Sequence, residues 1–313
     1  MELLSFGSCL SVGLLVGALL LEAFLLVPYW QSLTPERFSA LHGEVGPRLY
    51  RFFAPITTAA TALAVVTATA ALLTSNRAQL AAAGTPERAK SERAYLKSDL
   101  QFLGTSVPTM RAVCKSWLRA LAAANGKLTH DQLFALADAL WAQPVHERRM
   151  AAVELLVAKP QLIGLDDVPW LYNALRDCRT WALLDTVAGS VVADLAVREP
   201  DALQHFDRWV HDSDFWIRRS AVLGLRTYLR RDQQLDRFFA YAEQLLPDKE
   251  FFIRKVIGWV AREVAERHPE RVSQWLRDNM AAMNLITLRE PLRRLPDAVE
   301  LRALYDTRRN NAG

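Results

Sequence analysis

Apolar residues recur three and four positions apart through most of the chain beyond Ser91. The stretches Gln132 to Trp141, Glu147 to Val157, Val168 to Leu175, Trp181 to Val197, Trp216 to Leu229 and Phe251 to Ala265 each gather their apolar side chains on one face of a helix. No run of alternating strand residues stands between them. Pro200 and Pro269 fall where first helical turns are expected, and a missing N–H costs nothing there. The pattern predicts an all-α protein.

The helices also repeat. Asp212-Ser213-Asp214-Phe215-Trp216-Ile217-Arg218-Arg219 returns as Asp248-Lys249-Glu250-Phe251-Phe252-Ile253-Arg254-Lys255, 36 residues later. Stepping back 35 residues from Trp216 reaches Trp181, and 35 more reaches His146 beside Arg148 and Arg149. Helix pairs are therefore expected to start near 146, 181, 216 and 252. A helix pair of this length cannot bury its apolar stripe alone. Stacking does so, giving a solenoid whose second helices line one curved face.

Two stretches break the amphipathic pattern by being apolar throughout. Leu10 to Val27 carries only Glu22 as a charge, and Phe52 to Leu73 carries none. Each is long enough to span a bilayer core as a helix. The expectation is a two-span membrane hairpin over residues 1–75, crossing at 10–27 and 52–73. A signal peptide is the competing reading of the first stretch, but Glu2 stands where a basic n-region belongs. Arg77, Arg88, Lys90 and Arg93 follow the second stretch and favour the cytoplasmic side of a bacterial-type inner membrane. Arg37, Arg48 and Arg51 in the intervening loop weaken that asymmetry. An intramembrane carboxylate such as Glu22 is a functional candidate, with His42, Arg48 or Arg51 as partners; a plain anchor is the simpler reading. Residues 76–93 are polar, Ala-rich and hold Gly84 and Pro86, which reads as a linker, helical in part. The repeat domain is then 94–313.

Charge adds little to this picture. Residues 1–90 hold six basic and five acidic residues, a net of +1, and the rest of the +4 chain contributes +3. Only the placement of the cations is suggestive. Cys9, Cys114 and Cys178 form no close pair and no metal spacing, and the six histidines are scattered, so no zinc site is expected.

The echo supplies the first candidates. Arg218, Arg219, Arg254 and Lys255 sit at recurring positions suited to phosphate contacts. Solvated faces, or pairing with Asp214 and Glu250, would explain them equally. Trp181 and Asp185 are four apart and share a helix face. A core tryptophan and a surface partner for Arg179 is the bland reading of that pair. Trp259 follows Gly258, which lets another helix or a ligand come close. Trp170, Trp209 and Trp275 read as packing.

Residues 91 to 295 resemble the AlkD-like family of DNA alkylation repair glycosylases. The resemblance is carried by Tyr95-Leu96-Lys97 with Phe102-Leu103-Gly104 and Pro108, then Leu140-Trp141 with Glu147 and Ala151-Ala152. It continues through Trp181 to Asp185, Trp216 to Arg219 and, most specifically, Lys249 to Glu263. It implies a HEAT-like helical-repeat solenoid acting on double-stranded DNA that contains alkylated purines, without metal or cofactor. Carried over position by position, it makes Asp185 the catalytic carboxylate, with Trp181 and Trp259 as aromatic walls. Arg219 and Tyr95 then contact DNA. The family often has an acid where this chain has Ala182. A rival register would pair Asp185 with that first acid and leave Ala188 at the catalytic position.

The implied chemistry suits these residue types. An N3- or N7-alkylated purine is already cationic and leaves readily. A carboxylate near the sugar stabilises the positive charge that develops as the N-glycosidic bond breaks. Tryptophan faces attract the cationic nucleotide. Three readings are open: a membrane-tethered glycosylase, a non-catalytic HEAT-like DNA-binding protein, and a membrane-associated interaction scaffold.

Overall fold

The computed structural model describes residues 27–51 and 78–311. The chain forms two units, 1–79 and 80–313. In the first, Val27–Gln31 and residues 35–51 are helical, and Trp30, Phe38 and His42 cluster, the last two stacked at 5.4 Å. The expected spans at 10–27 and 52–73 lie outside the described residues except for Val27, as do Glu22 and Cys9. Among the described residues no helix is long and apolar enough to cross a membrane.

The second unit is built of helices from end to end. In chain order they are α1 (Pro86–Leu96), α2 (Val107–Asn125), α3 (His130–Trp141), α4 (His146–Ala158), α5 (Val168–Arg176), α6 (Trp181–Thr186) and α7 (Ala193–Arg198). Then follow α8 (Leu203–Trp209), α9 (Phe215–Gly224), α10 (Arg226–Leu229), α11 (Leu235–Leu245), α12 (Phe251–Ala265), α13 (Pro269–Asp278), α14 (Leu285–Arg289) and α15 (Ala298–Asn311). A π-helical stretch, Val187–Val192, joins α6 to α7. No strand occurs among the described residues, only two isolated bridges.

Local chemistry fixes the helix ends. Thr85, Ser106, Thr129, Thr180, Asp214 and Asn284 cap helices by accepting a backbone N–H of the first turn. Pro86, Pro108 and Pro269 occupy first-turn positions, where no N–H bond is lost. The four expected pair starts are met to within one residue, at His146, Trp181, Phe215 and Phe251.

Within the stretch read as a partly helical linker, 76–93, the described residues begin at 78. Residues 78–82 are helical, α1 begins at Pro86, and Leu80 is fully buried. Thr105 Oγ1 donates to the Leu80 carbonyl at 2.6 Å. Thr85 N–H also donates to the Gly104 carbonyl at 3.3 Å, so Leu80 and the turn before α1 are tied to the loop after it. Nearby, the buried Glu147 carboxylate accepts the backbone N–H groups of Leu103, Gly104 and Thr105 at 2.6 to 3.3 Å. That side chain ties the turn after α1 to α4 and holds Tyr95 at the edge of the solenoid.

Packing gives α6, α9 and α12 a common plan. Leu183 and Leu184 of the first with Val187 and Ala188 of the π stretch that continues it, Ile217, Ala221 and Val222 of the second, and Ile253, Val256 and Ile257 of the third are fully buried. The partly exposed positions of these helices therefore share one side. Residues five places into each helix, Asp185, Arg219 and Lys255, become neighbours across the stack.

Candidate active site

Those three positions line a cleft of about 350 Å³ together with Tyr95, Trp181, Phe251, Phe252 and Trp259. A second cavity of about 400 Å³ shares Tyr95, Trp181, Phe251 and Phe252 and extends past Lys97 and Arg179. Each wall has a local cause. Trp181 opens α6 because Thr180 caps that helix. Tyr95, 71% exposed, stands edge-on to Trp181 with ring centroids 5.9 Å apart. Trp259 is set by its neighbour. A Cβ on Gly258 would come within 2.5 Å of the Thr287 carbonyl, so glycine lets α14 press against α12 at this point.

Asp185 and Arg219 form the polar centre. Arg219 Nε and Nη2 donate to Asp185 Oδ1 and Oδ2, each at 2.8 Å. The third nitrogen, Nη1, donates to the Phe252 carbonyl at 2.6 Å. The guanidinium is 3% exposed and the carboxylate 15%, so the bonded pair opens to the cleft on the carboxylate side. Arg219 lies 5.9 Å from the Phe252 ring and 6.0 Å from the Trp259 ring. A carboxylate offers about four lone-pair sites. The bidentate fork takes two, which leaves two for a water or a sugar. The fork also fixes the plane of the carboxylate.

The paired cations of the echo divide their work. Arg218 reaches back to its own leading loop, donating to the Asp212 and Ser213 carbonyls at 2.7 and 2.9 Å, and pairs with Asp248. Arg254 repeats this at the next copy through the Asp248 carbonyl at 2.8 Å. Neither lines the cleft. The second cation of each copy does: Arg219 on Asp185, and Lys255, whose Nζ bonds Glu290. Asp214, weighed above as a partner for these cations, serves elsewhere. Asp214 caps α9 and pairs with Arg176.

Four residues in or beside the cleft were missed in the sequence. Phe251 and Phe252 line the cleft and were visible in the echo as its aromatic pair. Arg226 stacks over Trp259 at 4.4 Å and makes a fork to Glu263 at 2.7 and 3.1 Å. Gly189 in the π stretch leaves room for it, since a Cβ there would stand 3.3 Å from Arg226 Nη1. Glu290 is 3% exposed and joins Lys255 to Arg262. Burial would raise its carboxyl, yet Lys255, Arg262 and Arg293 hold it below the ordinary carboxylate range.

The remaining titratable groups serve structure. Burial pushes the Cys114 thiol up to about 12 and Cys178 well above its usual value, so both are poor nucleophiles. Among the described residues no group of His, Cys, Asp and Glu could hold a metal ion. Ala188, the catalytic position in the rival register, is fully buried in the π stretch and does not line the cleft, whose carboxylate is Asp185.

Comparison with known proteins places this arrangement. A predicted DNA alkylation repair enzyme from Enterococcus faecalis shares the fold with a TM-score of 0.61 at 21% identity, over 68% of this chain and 97% of that one. AlkD2 from Streptococcus mutans aligns at 16% identity and a TM-score of 0.47, over 69% of this chain and 96% of its own. No curated protein matches the chain. The sequence pattern described as "DNA alkylation repair enzyme" matches residues 76–295, from the helix that carries Leu80 past the last wall of the cleft, and by that match the chain belongs to the DNA alkylation repair enzyme family.

Proposed function

We propose that the second unit is a DNA glycosylase that hydrolyses the N-glycosidic bond of N3- or N7-alkylated purines, with Asp185 as its electrostatic catalyst. The observation that carries this is the oriented Asp185 carboxylate in a cleft walled by Tyr95, Trp181, Phe252 and Trp259. The bond from sugar C1′ to the purine nitrogen breaks with its electron pair going to the base, which neutralises the base cation. Positive charge passes to the sugar, where the free lone pairs of Asp185 stabilise it. Water then adds at C1′ and releases a proton. The tryptophan faces favour the cationic lesion over an unmodified nucleotide. The exposed Tyr95 ring contacts the duplex at the rim, and Lys255 offers a cation near it.

The test is release of alkylated purine from methylated duplex DNA by the purified chain. Release is expected, with a loss of about 100-fold or more in Asp185→Asn, the scale of losing one preorganised electrostatic contact in a transition state. Binding of DNA without release would refute catalysis and leave the non-catalytic DNA-binding reading. One observation favours that second reading: both oxygens of Asp185 already accept from Arg219.

The proposal includes a tether to a bacterial-type inner membrane through residues 10–27 and 52–73, with the repair unit facing the cytoplasm. It rests on the composition of those stretches. Recovery of the full chain in the soluble fraction after cell lysis would refute it.

A further inference from the structure

One turn along α12 from Trp259, a separate cavity of about 480 Å³ opens between α10, α12 and the segment after α14. Six arginines border it: Arg226, Arg230, Arg262, Arg267, Arg293 and Arg294. Only two carboxylates, Glu263 and Glu266, share its lining. Several of the arginines are held in place from behind. Glu263 fixes Arg226, the buried Glu290 fixes Arg262 and draws Arg293 to 3.8 Å, and Asp232 fixes Arg267. Arg294 pairs with Glu266 at 3.2 Å across the mouth. Counting Glu290 and Asp232 with the lining acids leaves six cations against four anions. Arg230 is exposed and has no carboxylate partner among the described residues.

A cavity with surplus, pre-positioned guanidinium groups is a seat for an oxyanion, because the planar fork matches phosphate oxygens and its orientation is already fixed. Its position says which oxyanion. Arg226 lies in this lining and also stacks on Trp259, and Glu290 bonds both Lys255 of the cleft and Arg262 of the cavity. The step from Trp259 to Glu263 along α12 is about 6 Å. A nucleotide held in the cleft therefore has its neighbouring backbone within reach of this cavity. We infer that the arginine-lined cavity holds a backbone phosphate of the DNA beside the lesion, fixing the register of the strand relative to Asp185.

This rests on the DNA-directed reading of the cleft but not on catalysis, and the experiment keeps the two apart. The full chain and its Arg230→Ala, Arg230→Glu and Arg294→Ala variants are titrated with lesion-free duplex over a series of salt concentrations. Arg198→Ala, which lies outside the cavity, is the control. Each cavity variant is expected to weaken binding several-fold at low salt and to lower the slope of log K against log salt by about 1, the signature of one lost phosphate contact. Arg230→Glu should weaken binding most. Arg230 makes no side-chain bond that holds the fold, so a folded variant is expected. Slopes equal to that of Arg198→Ala would overturn the inference. So would inorganic phosphate competing for the cavity while the slopes stay at the wild-type value, which would mark a small-anion site. A chain that releases no base yet shows the slope change refutes catalysis alone. A chain that releases base with unchanged slopes refutes only this inference.

Discussion

Removing both halves of the Asp185–Arg219 pair should cost less than the sum of removing each alone. Arg219 is 3% exposed and Asp185 15%, and the two are joined by two bonds of 2.8 Å. At an effective dielectric of about 20, opposite charges roughly 4 Å apart attract by about 4 kcal/mol, most of which offsets the cost of desolvating them. Asp185→Asn keeps the shape and one acceptor but leaves the buried guanidinium without its counter-charge, turns an amide N–H towards one of its donors, and leaves it the amide oxygen and the Phe252 carbonyl. Breaking a buried pair in this way costs about 3 kcal/mol or more. Arg219→Met strands the carboxylate instead. Its greater exposure lets water reach it, so the cost should be smaller, about 2 kcal/mol. In the double variant no charge is left unpaired, and the methionine stem fills the space beside Phe252 and Trp259. Its cost should fall short of the sum by about 2 kcal/mol.

The assay is urea unfolding of the four proteins followed by far-ultraviolet circular dichroism, with the coupling energy taken from the cycle. Additivity within about 0.5 kcal/mol would refute the reasoning. It would mean that water reaches Arg219 in solution and that the fork does not organise the carboxylate. The activity of a glycosylase would follow a different order. Asp185→Asn and the double variant should be equally inactive, while Arg219→Met should keep partial release, because it loosens the carboxylate without removing it.

Three further outcomes are expected. Gly258→Ala should destabilise the unit by about 1 to 3 kcal/mol in thermal melts, since its Cβ would press on the Thr287 carbonyl and push α14 away from α12; an unchanged melting temperature would refute the close contact. Trp259→Ala should lower the preference for alkylated over unmodified duplex by about 2- to 30-fold in competition binding, the range of one cation–π contact, and an unchanged preference would remove Trp259 from lesion recognition. His146, stacked on Phe102 with no partner for Nδ1, is pushed by burial down to about 4. The unfolded chain then binds the extra proton first, so stability should fall as pH drops from about 6.5 to about 4, by roughly 3 kcal/mol at most; His146→Phe should flatten that part of the stability profile.

The sequence carried the repeat because it depends on spacing, while the candidate cleft residues were singled out through the family resemblance. Helix starts at 146, 181, 216 and 252 followed from periodicity, and the structure shifts only the last two, by one residue. Trp181, Asp185, Arg219 and Trp259 meet because positions about 35 apart in a solenoid become neighbours. Two things were hidden. The average polarity of 76–93 gave no sign that Leu80 is fully buried and that its carbonyl accepts from Thr105. The roles of adjacent cations were also invisible in a string. Arg218 and Arg219 are one residue and about 100° of helix apart. That rotation turns the first onto its own loop and the second into the cleft. The partners that draw each side chain, Asp248 for one and Asp185 for the other, lie 30 and 34 residues away.

The repeat also explains why a carboxylate stands in line with the two cations of the cleft. Asp185, Arg219 and Lys255 occupy the same offset in three successive helices, so a cation at all three would set like charges side by side at partly buried positions. Alternation resolves this. Asp185 neutralises Arg219, and Lys255 is neutralised by Glu290 from the other direction. The acid at 185 is thus favoured by electrostatics before any chemistry is asked of it, and its stability role and its proposed catalytic role use different lone pairs. Replacing Asp185 with a residue that satisfies Arg219 equally well therefore separates the two roles. Asp185→Glu provides one, because a longer carboxylate can still bond the guanidinium but shifts its free oxygens by about one methylene. Stability near that of the wild type with base release reduced by at least 10-fold would assign Asp185 both jobs. Equal release would mean that any anion at this offset suffices and that the geometry of the fork is not what the reaction uses.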